Sequence, residues 1–234
     1  MPHAGPFEWA AAVLLLLALL MAWAVRGRSS SLLAPSIWRG ASDRPLVALT
    51  FDDGPSESTP QLLEILARCG VRATFFLTGA NVRRLPEIAR QIRSAGHEIA
   101  NHGQNHPNYC FRSAAFIRQD LGAAQQAIVD VTGARPTLFR APYGVRWFGL
   151  RAAQRSLDLR GVMWTVIGRD WKLPAPRVAE RVLKHVRHGA IVCLHDGRTT
   201  TVNPDIRATL DAVAALVPRL QSQGYTFVRV SEFL

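Results

Sequence analysis

The stretch Leu46–Pro55, LVALTFDDGP, decides how the rest of the 234-residue chain is interpreted. An apolar run leads directly into two adjacent carboxylates, Asp52 and Asp53, and then into a glycine and a proline. Asp, Gly and Pro are turn formers, so the simplest interpretation is a strand that runs into a tight turn. The alternative is that the two carboxylates perform two different chemical tasks, and the remaining sequence has to decide between these interpretations.

The composition indicates a folded domain with a sizeable core. Hydrophobic residues make up 48% of the chain, which excludes bulk disorder, and the length fits one large domain or two small ones. Cys69, Cys110 and Cys193 are too few and too scattered for a disulfide framework, and they lack the CxxC spacing of a structural zinc site.

The chain is strongly basic, with 28 Lys and Arg against 17 Asp and Glu and a net charge of +11. These cations are spread over most of the predicted helices, whereas a nucleic-acid-binding protein usually clusters them. We therefore predict no nucleic-acid partner, and an anionic surface such as a membrane or a wall polymer is at least as plausible. No protein partner is inferred.

The N-terminal run Trp9–Val25 contains no charged side chain and is close to the shortest length that spans a membrane. Trp9 and Trp23 lie near its ends, where aromatic rings favour the membrane interface. A cleaved signal peptide is the alternative, since Ala22 and Ala24 form an A-x-A pattern, but no Lys or Arg precedes the run. We predict a retained, single-pass anchor.

The predicted organisation is a tail (1–8), a transmembrane anchor (9–25), a tether (26–44) and one catalytic domain (45–234). The orientation of the anchor is ambiguous from the sequence. Glu8 precedes it while Arg26 and Arg28 follow it, so the flanking charges direct the domain to the cytoplasm.

Short β-type runs alternate with helical patterns in the catalytic domain. The predicted strands are Leu46–Phe51, Ala73–Thr78, His97–Asn101, Thr137–Arg140, Gly161–Val166, Ala190–His195 and Thr226–Val230. Helices are predicted from a Thr59 cap to Gly70, over Leu85–Ala95, and along the apolar face Ile206–Leu220. Repeated β-then-α units favour a parallel sheet that closes, or nearly closes, into a (β/α) barrel, with an open doubly wound sheet as the alternative.

In such a barrel the chemistry gathers where the strands end. The polar residues at or just after the predicted strand ends are Asp52, Asp53, His102, His106, Arg140, Asp170 and His195. His102 and His106 are four residues apart, a common spacing of metal ligands, although two unrelated loop histidines remain the alternative. A carboxylate from the first strand would complete a site of two histidines and one aspartate.

A metal would also explain the paired carboxylates. One of them can bind the metal while the other accepts a proton from water, and two adjacent anions need cations nearby to stay ionised. Arg140 is a candidate for a second cation. His195 ends an apolar strand, where a structural role is the default; beside a metal it could instead protonate a leaving group, with Asp170 holding its tautomer. Trp171 is either part of the core or a platform for a sugar ring.

Five motifs occur in an order and approximate spacing that resemble the polysaccharide deacetylase family of metal-dependent carbohydrate esterases. They are TFDDGP, HGQNH, FRAPYG, GRDW and CLHDG, and the resemblance covers about Leu46 to Leu234. It implies a distorted (β/α)7 barrel that removes acetyl groups from N-acetylated sugars of chitin-like oligomers or peptidoglycan. Some members instead cleave O-acetyl esters on xylan.

The resemblance also implies roles for individual residues. It makes Asp52 the catalytic base, paired with Arg140. It makes Asp53, His102 and His106 the ligands of a divalent metal that lowers the pKa of a bound water. We expect zinc, with cobalt or manganese as alternatives.

On the opposite side of the reaction, the resemblance makes His195 the general acid, oriented by Asp170. The backbone N–H of Tyr143 would help to hold the oxyanion, and we expect Trp171 and Pro142 to contact the glycan. Because an amine leaves poorly without a proton, a histidine acid favours N-deacetylation over ester cleavage.

Three residues depart from the family pattern, namely Gly103, Ile167 and Cys193. Gly103 lacks a hydroxyl that would brace the loop of the two histidines, Ile167 replaces an acidic residue, and Cys193 replaces an aliphatic one. None of them removes a predicted ligand or proton carrier. Two alternative functions remain, an O-acetyl esterase and a non-catalytic, membrane-anchored glycan-binding protein. The resemblance favours an extracytoplasmic domain, against the flanking charges.

Overall fold

The apolar runs of the sequence form the strands of one all-parallel sheet. The computed structural model describes residues 5–40 and 43–233. Within this part of the chain the strands are β1 (Ser36–Ile37), β2 (Leu46–Asp52), β3 (Thr74–Leu77), β4 (Glu98–Asn101), β5 (Leu138–Phe139), β6 (Arg160–Val162), β7 (Val166–Ile167), β8 (Ala190–His195) and β9 (Thr226–Phe227). The helices are α1 (Pro6–Arg26), α2 (Thr59–Arg68), α3 (Gly79–Arg84), α4 (Pro86–Ser94), α5 (Ala114–Thr132), α6 (Leu150–Leu157), α7 (Ala175–His185) and α8 (Arg207–Ser222).

The sheet curls into a barrel because one segment belongs to both of its ends. The strand order is β1-β6-β5-β4-β3-β2-β8-β7, with β9 beside the start of β2. Segment Arg160–Ile167 pairs with β5 at its beginning and with β8 at its end. The single strand predicted over Gly161–Val166 is therefore wrong, because its backbone changes neighbours between Met163 and Thr165. The predicted distorted (β/α)7 barrel is confirmed.

Alternate residues of β2 face opposite sides of the sheet. Val47, Leu49 and Phe51 belong to the core between the sheet and the outer helices. Ala48 belongs to the small core inside the barrel. The same alternation turns Asp52 toward the interior, at the end of the strand where polar residues of the other strands also collect.

Helix α2 begins one residue differently from the prediction. Ser58 occupies the N-cap position and Thr59 is the first helical residue. The Thr59 hydroxyl accepts a hydrogen bond from the Ser56 amide and donates one to the Asp196 carboxylate, both 2.8 Å long. The Thr59 hydroxyl, which the sequence suggested as a helix cap, therefore binds the buried Asp196 carboxylate instead.

Helix α1 is longer than the predicted anchor and includes the end of the predicted tail, whose residues 1–4 lie outside the described chain. Residues 7–26 are long and apolar enough to cross a membrane, with a mean hydropathy of 2.1. Within this stretch only Ala24 and Val25 are buried.

The segment predicted as a tether is packed against the barrel in large part. Ser30 and Ala34 are buried, Ser36–Ile37 adds a strand to the sheet, and residues 41–42 lie outside the description. The sequence showed no periodicity here because much of the contact is made by backbone carbonyls, such as that of Ser30, which accepts a 2.5 Å hydrogen bond from Arg146.

Candidate active site

A cavity of about 460 Å³ opens at the C-terminal ends of the strands. The predicted site residues that line it are Asp52, Asp53, His102, His106, Tyr143, Trp171 and His195. Arg140, Pro142 and Asp170 are buried behind this lining. The structure thus brings together the residues that the sequence placed at separate strand ends.

The sheet register positions the two predicted proton carriers next to each other. Asp52 and His195 are paired residues at the ends of β2 and β8. The Arg140 guanidinium donates to Oδ1 of Asp52 at 2.5 Å and to the Thr50 hydroxyl at 2.9 Å. It also lies 4.1 Å from the centre of the Phe76 ring. This fully buried cation fixes one oxygen of Asp52 and compensates its charge.

The side chain of Asp53 is turned away from that of Asp52 because the backbone of Asp53 departs from the strand conformation. Its φ is 74°, in the left-handed region that only a few per cent of non-glycine residues adopt. Oδ2 of Asp53 accepts a 2.8 Å hydrogen bond from the Thr199 amide. Its buried Oδ1 has no hydrogen-bond donor among the described residues. Instead, Oδ1 lies 3.4 Å from Nε2 of His102 and 3.1 Å from Nε2 of His106.

The tautomer of His102 follows from its other ring nitrogen. Nδ1 lies 2.7 Å from the Arg140 carbonyl oxygen, which can only accept, so Nδ1 carries the proton and Nε2 presents a lone pair. His106 reaches the same point from a left-handed backbone with φ of 55°. Two imidazole nitrogens and a carboxylate oxygen therefore converge with no donor between them.

These three atoms fit a bound cation. Ligands about 2.0–2.1 Å from a tetrahedral zinc lie about 3.3 Å apart, close to the observed 3.1 and 3.4 Å. In the metal-free protein burial raises the pKa of Asp53, but hydrogen bonds and positive charge from the protonated forms of His102 and His106 outweigh it and hold that pKa well below its usual value. Asp53, His102 and His106 form a group that could hold a metal ion.

A second group that could hold a metal consists of Asp52, Cys193 and His195. It is less suitable, because Asp52 already pairs with Arg140 and the Cys193 thiol donates to Oδ2 of Asp52 at 3.4 Å. Burial and the charge of Asp52 raise the pKa of Cys193 well above its usual value. A thiol that keeps its proton is a poor metal ligand.

Asp170 holds both the backbone amide and the ring of His195 in place. Its Nδ1 lies 2.9 Å from Oδ1 of Asp170, and its amide donates to Oδ2 of Asp170 at 2.8 Å. The Thr209 hydroxyl donates to the same Oδ2 at 2.6 Å. Burial lowers the pKa of His195, but the charge of Asp170, with smaller contributions from Asp52 and Asp53, raises it to about 9.

The remaining predicted residues differ in their access to the cavity. Trp171 is 47% exposed, and its ring packs edge-on against that of His195 with 4.9 Å between the centroids. Tyr143 has a left-handed backbone with φ of 57° and is 56% exposed. Pro142 is buried and does not line the cavity, so its predicted contact with the glycan stays a prediction.

The hydroxyl that Gly103 lacks is replaced by other groups. A side chain at Gly103, whose φ is 76°, would place its Cβ 2.6 Å from a carboxylate oxygen of Asp120. That oxygen accepts hydrogen bonds from the Gln104 amide at 3.1 Å and the Tyr109 hydroxyl at 2.8 Å. Asp120 therefore braces the loop between His102 and His106.

Several residues that position this site were not predicted from the sequence. They are Thr50, Asn81, Asp120, Thr199 and Thr209. Each is a small polar residue in a helix, strand or loop outside the motif that it supports. The one available signal was a polar residue on an otherwise buried helix face, as Asp120 is on α5 and Thr209 is on α8.

Comparison with known proteins agrees with this geometry. The family model described as polysaccharide deacetylase matches residues 39–162, more than half of the chain. A chitooligosaccharide deacetylase of Bradyrhizobium sp. is 38% identical over 188 residues, which cover 76% of this chain and 86% of the relative.

Solved structures show the same fold at 30% identity. A peptidoglycan N-acetylglucosamine deacetylase superposes with a TM-score of 0.79, covering 84% of this chain and 91% of its own. A wild-type CE4 family pseudoenzyme from Bacillus anthracis superposes with a TM-score of 0.78 and covers 86% and 69% of the two chains. One mutant of that pseudoenzyme has restored enzymatic activity, so the fold alone does not decide activity. The family match and the deacetylase relatives nevertheless establish that the chain belongs to the polysaccharide deacetylase family and is a polysaccharide deacetylase enzyme.

Proposed function

We propose that this enzyme hydrolyses the N-acetyl groups of N-acetylglucosamine residues in a peptidoglycan- or chitin-like glycan and releases acetate. The observation that carries the proposal is the convergence, on one cavity, of an arginine-paired carboxylate, a donor-free Asp-His-His group and a histidine held by a buried aspartate. Each of the three corresponds to one requirement of amide hydrolysis.

The donor-free group would hold a divalent cation, for which zinc is the best candidate. Asp53 Oδ1 and the Nε2 atoms of His102 and His106 have the chemistry and the mutual distances of such a ligand set. When bound, a divalent cation supplies Lewis acidity that polarises the acetamide carbonyl and promotes loss of a proton from water. Cobalt and manganese are the alternatives.

Asp52 is proposed as the base. Its Oδ1 is occupied by Arg140, while its Oδ2 receives only the weak thiol donor of Cys193. Oδ2 is therefore available to accept the proton of the attacking water, whose oxygen forms the new bond to the acetamide carbon. Arg140 holds the carboxylate in place and balances its negative charge before the proton is transferred.

His195 is proposed as the acid. Asp170 holds Nδ1, so Nε2 is the atom left for the substrate. As the bond between the carbonyl carbon and the sugar nitrogen breaks, Nε2–H donates its proton to that nitrogen and acetate leaves. The raised pKa of His195 supports this role, because the ring is protonated at neutral pH.

Three further residues are proposed to contact the substrate. The Tyr143 amide would donate to the developing oxyanion; among the described residues no backbone acceptor is recorded for it, while the next two amides bond to Ala141 and Pro142. The exposed ring of Trp171 would stack on a sugar. Pro142 keeps its predicted contact with the glycan, from the loop that also carries Tyr143.

The domain boundaries are part of the proposal. Residues 45–234 would form the catalytic domain and residues 9–25 the membrane-spanning part of α1, with the domain on the extracytoplasmic side, where wall glycans lie. The apolar helix supports an anchor or a signal sequence equally by length and composition. Its packing onto the barrel through Ala24 and Val25 favours retention, because a cleaved helix would expose the surface that these residues cover.

The direct test measures acetate released from an N-acetylglucosamine tetramer by the full-length chain in detergent. The protein is stripped of metal with a chelator and then supplied with zinc, cobalt or manganese. We expect release only after metal is restored, with Asp53→Asn as the control that does not respond. Release from acetylated xylan alone would contradict the proposal in favour of an ester substrate, and metal binding without any release would indicate a glycan-binding protein.

A further inference from the structure

The end of helix α1 is part of the catalytic cavity. Arg26, the last residue of the helix, lines the cavity together with the catalytic candidates Asp53 and His195. Val25 and Ala24 are buried against the barrel, and the Val25 carbonyl accepts a 3.0 Å hydrogen bond from the Arg146 amide. The helix is therefore joined to the rim of the active site without a spacer.

Residues 27–32, which follow the helix, are also hydrogen-bonded to the barrel. The Arg146 side chain donates to the carbonyls of Gly27 and Ser30. Arg151 donates to the carbonyls of Ser31 and Leu32 at 2.8 and 3.0 Å. These bonds fix the direction in which the helix leaves the domain, since backbone carbonyls cannot move without the chain.

An exposed aromatic patch is connected through the chain to Arg146, which binds the end of the helix. It consists of Phe111, Trp147 and Phe148, with ring centroids 4.7 and 5.3 Å apart. Phe111 is 84% exposed and Phe148 55%. The patch begins one residue after Arg146, so a single loop runs from Tyr143 in the cavity to the helix exit and on to these rings. Exposed aromatic rings next to a spanning helix are typical of the membrane interface.

The position of the cavity relative to a bilayer follows from these contacts. A helix rises about 1.5 Å per residue, and Arg26 directly follows the last apolar residue. The polar headgroup layer is about 5–8 Å thick on each side of the hydrocarbon. With helix α1 spanning a bilayer, the rim of the cavity would lie at headgroup depth, where the exposed cations Arg26 and Arg28 suit anionic headgroups.

We propose that the substrate is an N-acetylated glycan attached to a membrane lipid, presented to the cavity from the bilayer surface. This inference rests on the proposed function and names the substrate class of the same site. A mature wall polymer far from the membrane would require a long or flexible tether, whereas residues 27–37 are bound to the barrel. A sugar linked to a lipid lies where the cavity opens.

The test compares two substrates in one preparation. The full-length chain is reconstituted with zinc in vesicles of phosphatidylcholine and phosphatidylglycerol, and acetate release is measured from an N-acetylglucosamine tetramer. The same tetramer is offered free in solution or coupled to a lipid in those vesicles. Because both partners share the membrane, we expect the lipid-coupled form to react at least about tenfold faster at equal bulk concentration.

Two insertion variants separate proximity from other causes. A flexible Gly/Ser linker of about 15 residues, with an end-to-end distance of about 20 Å, is placed between Val25 and Arg26. The matched control carries the same linker between Gly5 and Pro6, ahead of the helix. The first insertion should remove most of the preference for the lipid-coupled tetramer, and the control should keep it. For each variant the quantity compared is the ratio of its rates on the lipid-coupled and the soluble tetramer, so a change in basal activity does not enter, and measurable release from the soluble tetramer shows that the variant is folded.

A third variant tests the aromatic patch. Phe111→Ser combined with Phe148→Ser should lower activity on the lipid-coupled tetramer only. Equal losses on both substrates would identify the patch as a glycan subsite and overturn its assignment to the membrane. Equal wild-type rates on both substrates, or a preference that survives the Val25–Arg26 insertion, would overturn the inference while leaving the deacetylase intact. Loss of the helix by cleavage in cells would also overturn it, and absence of acetate from both substrates would defeat the proposed function itself.

Discussion

The two sides of the cavity differ in how completely their polar atoms are satisfied. On the acid side, His195, Asp170 and Thr209 form a closed set of hydrogen bonds. On the metal side, which comprises Asp53, His102 and His106, a buried carboxylate oxygen faces two imidazole nitrogens with no donor between them. A buried polar group without a partner is costly, so the protein alone organises the acid side, whereas we propose that a cation completes the metal side.

The largest expected effect comes from removing the carboxylate of the metal side. Asp53→Ala should abolish metal binding and lower deacetylation by about 10⁴-fold or more, because Lewis acidity and water activation are lost together. Metal content by elemental analysis and acetate release check the two parts separately. A variant that keeps one equivalent of metal would place the cation in the other group, with Asp52 and Cys193.

Removing the acid should have the complementary effect. His195→Ala should lower deacetylation of the N-acetyl substrate by about 10²–10⁴-fold while metal content stays normal. Asp53→Ala should lose both metal and activity, whereas His195→Ala should lose activity alone. This difference would show that metal binding does not depend on His195. Full activity of His195→Ala on the amide would disprove its role as the acid.

The pKa of His97 is shifted in the opposite direction from the pKa of His195. His97 is buried, whereas His195 lines the cavity. Nδ1 of His97 accepts a 3.1 Å hydrogen bond from the Ala73 amide, and no carboxylate contributes to its pKa. Burial, aided by the charge of Arg72, lowers the pKa of His97 to about 4, whereas that of His195 rises to about 9.

The signs of these shifts give opposite dependences of stability on pH. For His97 the unfolded chain binds the proton more tightly, so its contribution is complete above about pH 6.5 and is lost as the pH falls toward 4. The loss amounts to about 3 kcal/mol. For His195 the contribution is complete below about pH 6.5 and is lost as the pH rises through 9 in the metal-free protein.

Urea unfolding at a series of pH values measures the contribution of His97. The wild type is compared with His97→Asn, whose side-chain oxygen can still accept from the Ala73 amide. Carboxylates titrate in the same range in both proteins, so the difference between the two curves isolates the histidine. Parallel curves between pH 6.5 and 4 would contradict the neutral, buried assignment.

The smallest effect is expected at the junction of the two sides. Cys193 donates only a weak thiol hydrogen bond to Asp52, and its raised pKa keeps it neutral. Cys193→Val should therefore change deacetylation by no more than about tenfold and leave metal content unchanged. A loss as large as that of His195→Ala would show that the thiol takes part in proton transfer.

The sequence predicted which residues lie together at the cavity because the ends of strands can be recognised from it. Asp52 and His195 each follow an apolar run, and in a parallel sheet such residues converge at one edge. The structure makes them register partners. The left-handed backbone that turns Asp53 away from Asp52 has no sequence signal beyond the following glycine and proline.

The contacts that the sequence could not reveal are those between distant parts of the chain. Asp120 and Thr209 lie in long helices, where their role depends on which loop packs above them. The docking of residues 27–37 rests on side chains that bind backbone carbonyls, and any residue type can supply a carbonyl. For this reason the segment predicted as a tether is packed in large part against the barrel, and the helix before it reaches the cavity.

The most direct test of this account is a zinc titration of the metal-stripped, full-length chain, with acetate release followed in the same sample. We predict that activity on the N-acetylglucosamine tetramer is absent at the start, rises in proportion to added zinc and levels off at one equivalent. Under the same titration Asp53→Asn should stay inactive throughout. Full activity in the metal-stripped protein, or one equivalent of tightly bound zinc without any release of acetate, would contradict the claim that a cation completes the metal side for deacetylation.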